Sequence, residues 1–208
     1  ALSELAHADA AARERQMPRL ARLMAVVRIR ALTLSDEIKT ANIEMQRIGL
    51  DPGKLDANQP QMDWGLRHGT TNVAIARWLV RARRAKRALD FVDLAEENAI
   101  RGGQLLSLAK LRVIRAQAHL QLNGRSDATS ALLSSIRLLG KQPFRRFILD
   151  EGLSLQPVVQ AALDGERVKV PIDTVQRHQL SEIMHHWSSG GISSTEGQSR
   201  DRQGDSKR

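Results

Sequence analysis

Residues 70–140 read TTNVAIARWLVRARRAKRALDFVDLAEENAIRGGQLLSLAKLRVIRAQAHLQLNGRSDATSALLSSIRLLG, and their spacing decides the fold class. Val73, Ile75, Trp78, Leu79 and Ala82 recur at helical intervals and predict a first helix. Ala88, Phe91, Val92 and Ala95 mark a second, which Gly102-Gly103 stops. The next helix, from about Gln104 to Leu122, is apolar over much of its circumference, as a helix sandwiched between neighbours should be. Asn123-Gly124 caps it. Ser126 and Asp127 open a further helix through Leu139, closed by Gly140. The pattern is helix, short turn, helix, stop, and then the same again. A shift of about 40 residues superposes Ala76 on Ala116, Val80 on Leu120, Ala82 on Leu122, Ala88 on Ala128 and Val92 on Leu132. Helical hairpins repeating at that period are the signature of an α-solenoid.

The same scheme extends to both sides. Leu2, Leu5, Ala6, Ala8 and Ala12 form one face of an opening helix that ends near Gln16. Pro18 suits the first turn of the next, whose stripe is Leu20, Leu23, Met24, Val27 and Leu34. Ser35 is expected to N-cap a third helix, with Asp36 and Glu37 in its first turn and Gly49 at its end. Residues 50–70 are turn-rich and predict a long connection anchored by Trp64. Beyond Gly140 two short apolar helices follow, one carrying Phe144, Phe147, Ile148 and Leu149, the other Leu155, Val158, Val159 and Leu163. Val168 to Pro171 is linker-like. Gln176 to Trp187 predicts a last helix, and the polar stretch from Ser188 onward predicts a disordered tail. No segment alternates as a strand would. The expectation is an all-α chain: a helical repeat region over 1–163, a linker and terminal helix over 164–187, and a disordered tail over 188–208.

Composition narrows the function. Aromatics are only 3%, with no Tyr, so the core must be built from Ala, Leu, Val and Ile, which suits closely packed helices. The net charge of +9 favours an acidic partner, although part of the excess lies in the polar C-terminal stretch. No Cys is present, which rules out disulfides and thiolate metal sites. No apolar run has the length of a signal-peptide core or of a membrane span, so a cytoplasmic location without membrane contact is expected. The sequence opens at Ala1, already inside a helical pattern, and reads as a piece of a longer protein.

Three segments carry a family resemblance. Met17-Pro18-Arg19-Leu20 joins two helices that lead to Arg47-Ile48-Gly49-Leu50-Asp51. Leu122-Asn123-Gly124-Arg125-Ser126-Asp127-Ala128 precedes Ala131-Leu132-Leu133. Pro143-Phe144-Arg145-Arg146-Phe147-Ile148-Leu149-Asp150-Glu151-Gly152 follows, and is the most specific of the three. In this order, over roughly residues 1–165, they resemble the C-terminal part of the tetratricopeptide-like sensor region of bacterial MalT-like, LuxR-family transcription activators. The resemblance implies a parent with an ATP-binding switch domain before the repeats and a helix-turn-helix after them. This chain has no Gly-x-x-x-x-Gly-Lys-Ser/Thr loop and no helix-turn-helix, so no cofactor is expected, and DNA would be met only through a domain outside it.

Arg77, Arg81, Arg83, Arg84, Lys86 and Arg87 form a basic run without an acid, suited to a phosphate or carboxylate unless it is simply a solvated face. Arg77 and Arg81 lie one helical turn apart, and the repeat shift places Gln117 and Gln121 at the equivalent positions of the next hairpin. These four are expected to line a shared groove. Trp78 beside them either stacks on a ligand or packs in the core. His178, Glu182, His185 and His186 share one helix face, read as solvated rather than metal-binding. Asp150-Glu151 is a carboxylate pair in sequence, but adjacent helical residues do not face each other, and no nucleophile or acid–base partner stands nearby. The expectation is therefore a non-enzymatic sensor module that binds a small-molecule effector or a regulatory protein. The alternatives are a stand-alone tetratricopeptide adaptor for a protein or peptide and, on charge alone, a nucleic-acid-binding protein. Self-association is compatible with all of these.

Overall fold

The computed structural model describes residues 2–50, 70–140, 146–165 and 172–190. Among them all regular structure is helical: α1 (Leu2–Glu14), α2 (Pro18–Leu34), α3 (Ile38–Arg47), α4 (Thr70–Arg81), α5 (Ala85–Arg101), α6 (Leu105–Gln121), α7 (Arg125–Leu139), α8 (Arg146–Leu149), a 3-10 turn (Gly152–Leu155), α9 (Gln156–Leu163) and α10 (Thr174–Gly190).

One turn, used five times, sets the architecture. Gln16, Asp36, Arg83, Gly103 and Asn123 all adopt positive φ between helices, from 54° to 64°. The residue after each turns its N–H back to the carbonyl five residues earlier: Met17 to Ala12, Glu37 to Leu32, Arg84 to Leu79, Gln104 to Ala99 and Gly124 to His119, at 2.8–2.9 Å. This is the Schellman closure of a helix C-terminus. The same residue's carbonyl then accepts the N–H of Ala21, Ala41, Ala88, Leu108 or Ala128 and so opens the next helix. Twenty residues separate Gln16 from Asp36, Arg83 from Gly103, and Gly103 from Asn123. The hairpin period of about 40 residues read in the sequence is thus carried by the backbone itself.

This turn corrects the reading of residues 35–37. Ser35 closes α2, Asp36 is left-handed at φ 62°, and Glu37 stands at the N-cap of α3 without a side-chain cap bond. The terminal helix also runs further than expected. It continues through Gly190, with the hydroxyls of Ser188 and Ser189 bonding back to the carbonyls of Met184 and His185, so the boundary at 188 falls inside a helix. The remaining tail residues, Trp64 with most of its connection, Phe144 and the 168–171 linker lie outside the described residues.

Packing follows sequence order. Each helix from α4 to α7 contacts the next, while α2 packs on α4 and α4 on α6, so α2, α4 and α6 form a row. Two apolar clusters result. The first holds Val26, Ile29, Met45, Trp78, Leu79, Phe91, Leu111 and Ile114; the second holds Leu132, Phe147, Val159, Leu180, Ile183 and Trp187. Helix α6 belongs to both, with Leu111 and Ile114 facing one cluster and Ala109 and Val113 the other. Leu111, Ile114 and Leu132 are buried, at 1%, 0% and 0% exposure. Past α7 the chain turns through α8 and the 3-10 turn, both against α6, and α9 packs on α7 and α10. That return brings residues 150–154 against the polar side of the helix row.

Candidate functional site

The polar face of α4 and α6 is where the sequence placed its groove, and a segment of the same chain lies on it. Asp150 accepts hydrogen bonds from Arg30 Nη2 of α2 and from Arg146 Nε, both at 2.8 Å. Glu151 accepts from Arg77 Nε at 2.7 Å, and Arg77 Nη2 contacts the same carboxylate oxygen. Arg81 Nη2 donates to the backbone carbonyl of Glu151 at 3.1 Å. The hydroxyl of Ser154 donates to that same carbonyl at 3.1 Å and accepts from Gln117 Nε2 at 3.1 Å. One short acidic turn therefore engages residues of α2, α4 and α6 at once. Positive charge still exceeds negative here. Burial, with the charges of Arg30 and Arg77 adding to it, pushes the Lys110 ammonium below its ordinary pKa, while Asp150 and Glu151 oppose the shift.

This arrangement separates the five expected site residues. Arg77, expected in the groove, and Trp78, expected either on a ligand or in the core, are only 2% and 3% exposed. Arg77 is spent on Glu151. Trp78 packs in the first apolar cluster, with its indole Nε1 3.4 Å from the carbonyl of Ile38 and the guanidinium of Arg84 5.3 Å from its ring centre. Its helical spacing with Ile75 and Ala82 is what favoured the core reading in the sequence. Arg81, Gln117 and Gln121 do converge, on a cleft of about 460 Å³ that they line with Asp36, Arg83 and Ser154. Gln121 Nε2 donates to the carbonyl of Val80 at 2.9 Å, tying α6 to the end of α4. The equivalence of α4 and α6 positions, inferred from the repeat shift, thus places Arg81 and Gln121 on one cleft.

The chemistry of the cleft is two-sided. Arg81 and Arg83 offer guanidinium donors, while the side-chain oxygens Oε1 of Gln117 and Gln121 are buried and have no hydrogen-bond partner. A buried acceptor left without a donor costs about 1–3 kcal/mol, and both oxygens are shielded from solvent, so the cleft is lined on its accessible side mainly by the guanidinium donors. Gln121 also borders an adjoining depression of 560 Å³ rimmed by Arg83, Arg84, Lys86 and Arg87. The basic run of the sequence is this rim. Serine 154 and the 150–151 acids were not foreseen here. Glu151 lies 74 residues from Arg77, beyond any local rule. The available signal was an acid pair in an otherwise basic chain whose basic run lacked acids.

The other candidates are local. His178 Nε2 stands 3.4 Å from Glu182 Oε2 one helical turn away. No group of three metal-ligating side chains converges among the described residues, and none of their helices is long and apolar enough to cross a membrane. No family model, curated protein or solved structure matches the chain.

Proposed function

We propose that the chain is the helical-repeat sensor module of a bacterial MalT-like, LuxR-family transcription regulator, and that its hairpins stack as an α-solenoid of tetratricopeptide-like units. The observation that carries the recognition role is the cleft shared by Arg81 of one hairpin and Gln117 and Gln121 of the next, closed on its far side by Ser154. A cleft of 460 Å³ lies within the range of small-molecule sites, about 300–1,000 Å³. Solenoids recognise ligands on surfaces built by equivalent helices of successive repeats, and α4 and α6 are equivalent here. The acidic turn 150–154 reaches the cleft through Ser154. In this reading a ligand that binds the parent's inactive and active states with different affinity shifts their population.

The test is a promoter-reporter assay on the parent. Replacing Arg81 and Gln121 together with Ala is expected to lower inducer-dependent transcription at least tenfold while the protein accumulates normally. A normal response would remove the sensor role from this cleft. The adaptor reading differs at one point: the coding sequence around the chain would then lack a helix-turn-helix.

A further inference from the structure

Beside the cleft, and sharing Arg83 and Gln121 with it, lies the open depression of about 560 Å³ at the α4–α5 turn. Arg83, Arg84, Lys86 and Arg87 line it, and no acid does. The first turn of α5, which carries Lys86 and Arg87, holds no acid either. Arg83 and Lys86 are exposed and make no ion pair among the described residues. Asp36 lines the cleft together with Arg83 but forms no ion pair with it. Arg84 lies over the Trp78 ring and, like Arg87, is engaged within the chain. Leu122 completes the wall at the end of α6, with 40% of its surface exposed. The helix row next to this depression already holds one acidic peptide, the chain's own. Asp150 sits on Arg30 and Arg146, Glu151 sits on Arg77, and Arg81 donates to the Glu151 carbonyl. Past Arg81 the cations continue at Arg83 and Lys86, where the described chain supplies no paired carboxylate.

We propose that this depression docks a short acidic segment of a partner protein, its side-chain carboxylates on Arg83 and Lys86 and an apolar side chain on Leu122. Guanidinium and ammonium groups pair with carboxylates, and Arg does so bidentately. Packed helix axes lie about 8–10 Å apart, and an extended chain advances about 3.3–3.6 Å per residue, so about three residues reach from the α5 cations to Leu122. A peptide places a carboxylate and an apolar side chain at that separation. A free phosphate covers the cations alone and leaves Leu122 in water. Single-stranded nucleic acid stacks its bases on aromatic side chains, and none lines this depression. Exposed cations of this kind govern encounter rate and partner choice more than affinity, so the association is weak and sensitive to salt. The inference concerns the depression and not the ligand of the cleft, so it stands or falls apart from the sensor reading.

Fluorescence anisotropy of a labelled peptide, Leu-Asp-Glu-Leu-Asp-Glu with both ends blocked, tests it against the full chain. The blocked ends leave only side-chain carboxylates to bind. This peptide is expected to bind about tenfold more tightly than its amide analogue Leu-Asn-Gln-Leu-Asn-Gln, and to weaken as salt is raised. It should also bind about threefold more tightly than Ala-Asp-Glu-Ala-Asp-Glu, through the apolar contact. Arg83→Ala/Lys86→Glu should weaken the leucine peptide about tenfold with the far-UV circular dichroism unchanged, since an acid in the first turn of α5 favours the helix. Leu122→Ser should lower the leucine peptide to the affinity of the alanine peptide and leave the alanine peptide unchanged. If the charge variant does not fold, the Leu122→Ser comparison and the salt dependence decide. Equal binding of the acidic and amide peptides, or undiminished binding of the leucine peptide to the folded variants, overturns the proposal. So does a thymidine hexanucleotide that binds more tightly than the acidic peptide, which would assign the depression to nucleic acid.

Discussion

Removing Arg77 or Glu151 alone leaves a charge stranded in the interior, because both are 2% exposed and each is the other's counter-ion. Breaking such a pair from one side is expected to destabilise by about 3–5 kcal/mol, whereas exchanging both members for apolar residues is often neutral. Arg77 Nη1 and Glu151 Oε2 have no partner, so the pair is incompletely satisfied and its joint replacement should be well tolerated. Urea unfolding should therefore show Arg77→Met strongly destabilised and Arg77→Met/Glu151→Leu close to the parent. A double variant as unstable as the single would mean the pair contributes net stability. A second prediction concerns His119 on α6. Burial is the largest cause holding its imidazole below the ordinary value of 6.5, with Arg115 lowering it further and Asp127 and Asp93 opposing. The unfolded chain thus binds the proton more readily than the folded one, and stability contributed by neutral His119 is lost as pH falls through and below about 6.5. His119→Gln should flatten the fall in urea midpoint between about pH 7 and pH 5. An unchanged slope would assign that fall to other groups.

Among elements, the shared turn explains both what the helix pattern revealed and what it hid. Glycine at 103 and Asn-Gly at 123–124 are conventional stops, and both were legible. Gln16, Asp36 and Arg83 adopt the same left-handed conformation without glycine, so no residue type announced them. Ser35 was read as a cap because Ser before acids usually caps. In this turn the backbone alone closes one helix and opens the next, and the N-caps of α2, α3, α5, α6 and α7 make no side-chain cap bond. Gly103 isolates the conformational cost. A Cβ there would meet nothing within 4 Å, so Gly103→Ala adds only the strain of φ 64°. That strain is about 1–2 kcal/mol, reduced by the entropy Ala removes from the unfolded chain, for a net loss of about 1 kcal/mol. Denaturant titration checks it, and a stabilised variant would mean the turn readily leaves the left-handed region.

For the whole molecule, the question is whether two apolar clusters make one cooperative unit. They meet in α6, whose opposite faces enter both, so loss of either exposes the other. One transition is expected. Trp78 reports the first cluster and Trp187 the second. In a Trp64→Phe background, each variant keeping only Trp78 or only Trp187 should give a fluorescence midpoint in urea that coincides with the same variant's far-UV circular dichroism midpoint, as two-state unfolding requires. Separated midpoints would show that α7–α10 unfold independently of the hairpins before them. The sequence by itself determined the helices, their order and their 40-residue period, because 3.6-residue spacing, glycine stops and a recurring Ala/Leu register are local properties of a chain. It also determined that Arg81 and Gln121 are equivalent, since equivalence is periodicity. Only the tertiary structure decided that Arg77 is consumed by Glu151 and that Ser154 borders the cleft. Those outcomes depend on where the chain returns after α7, and contacts across 74 residues are selected by the shape and charge of the assembled row rather than by any rule acting along the sequence.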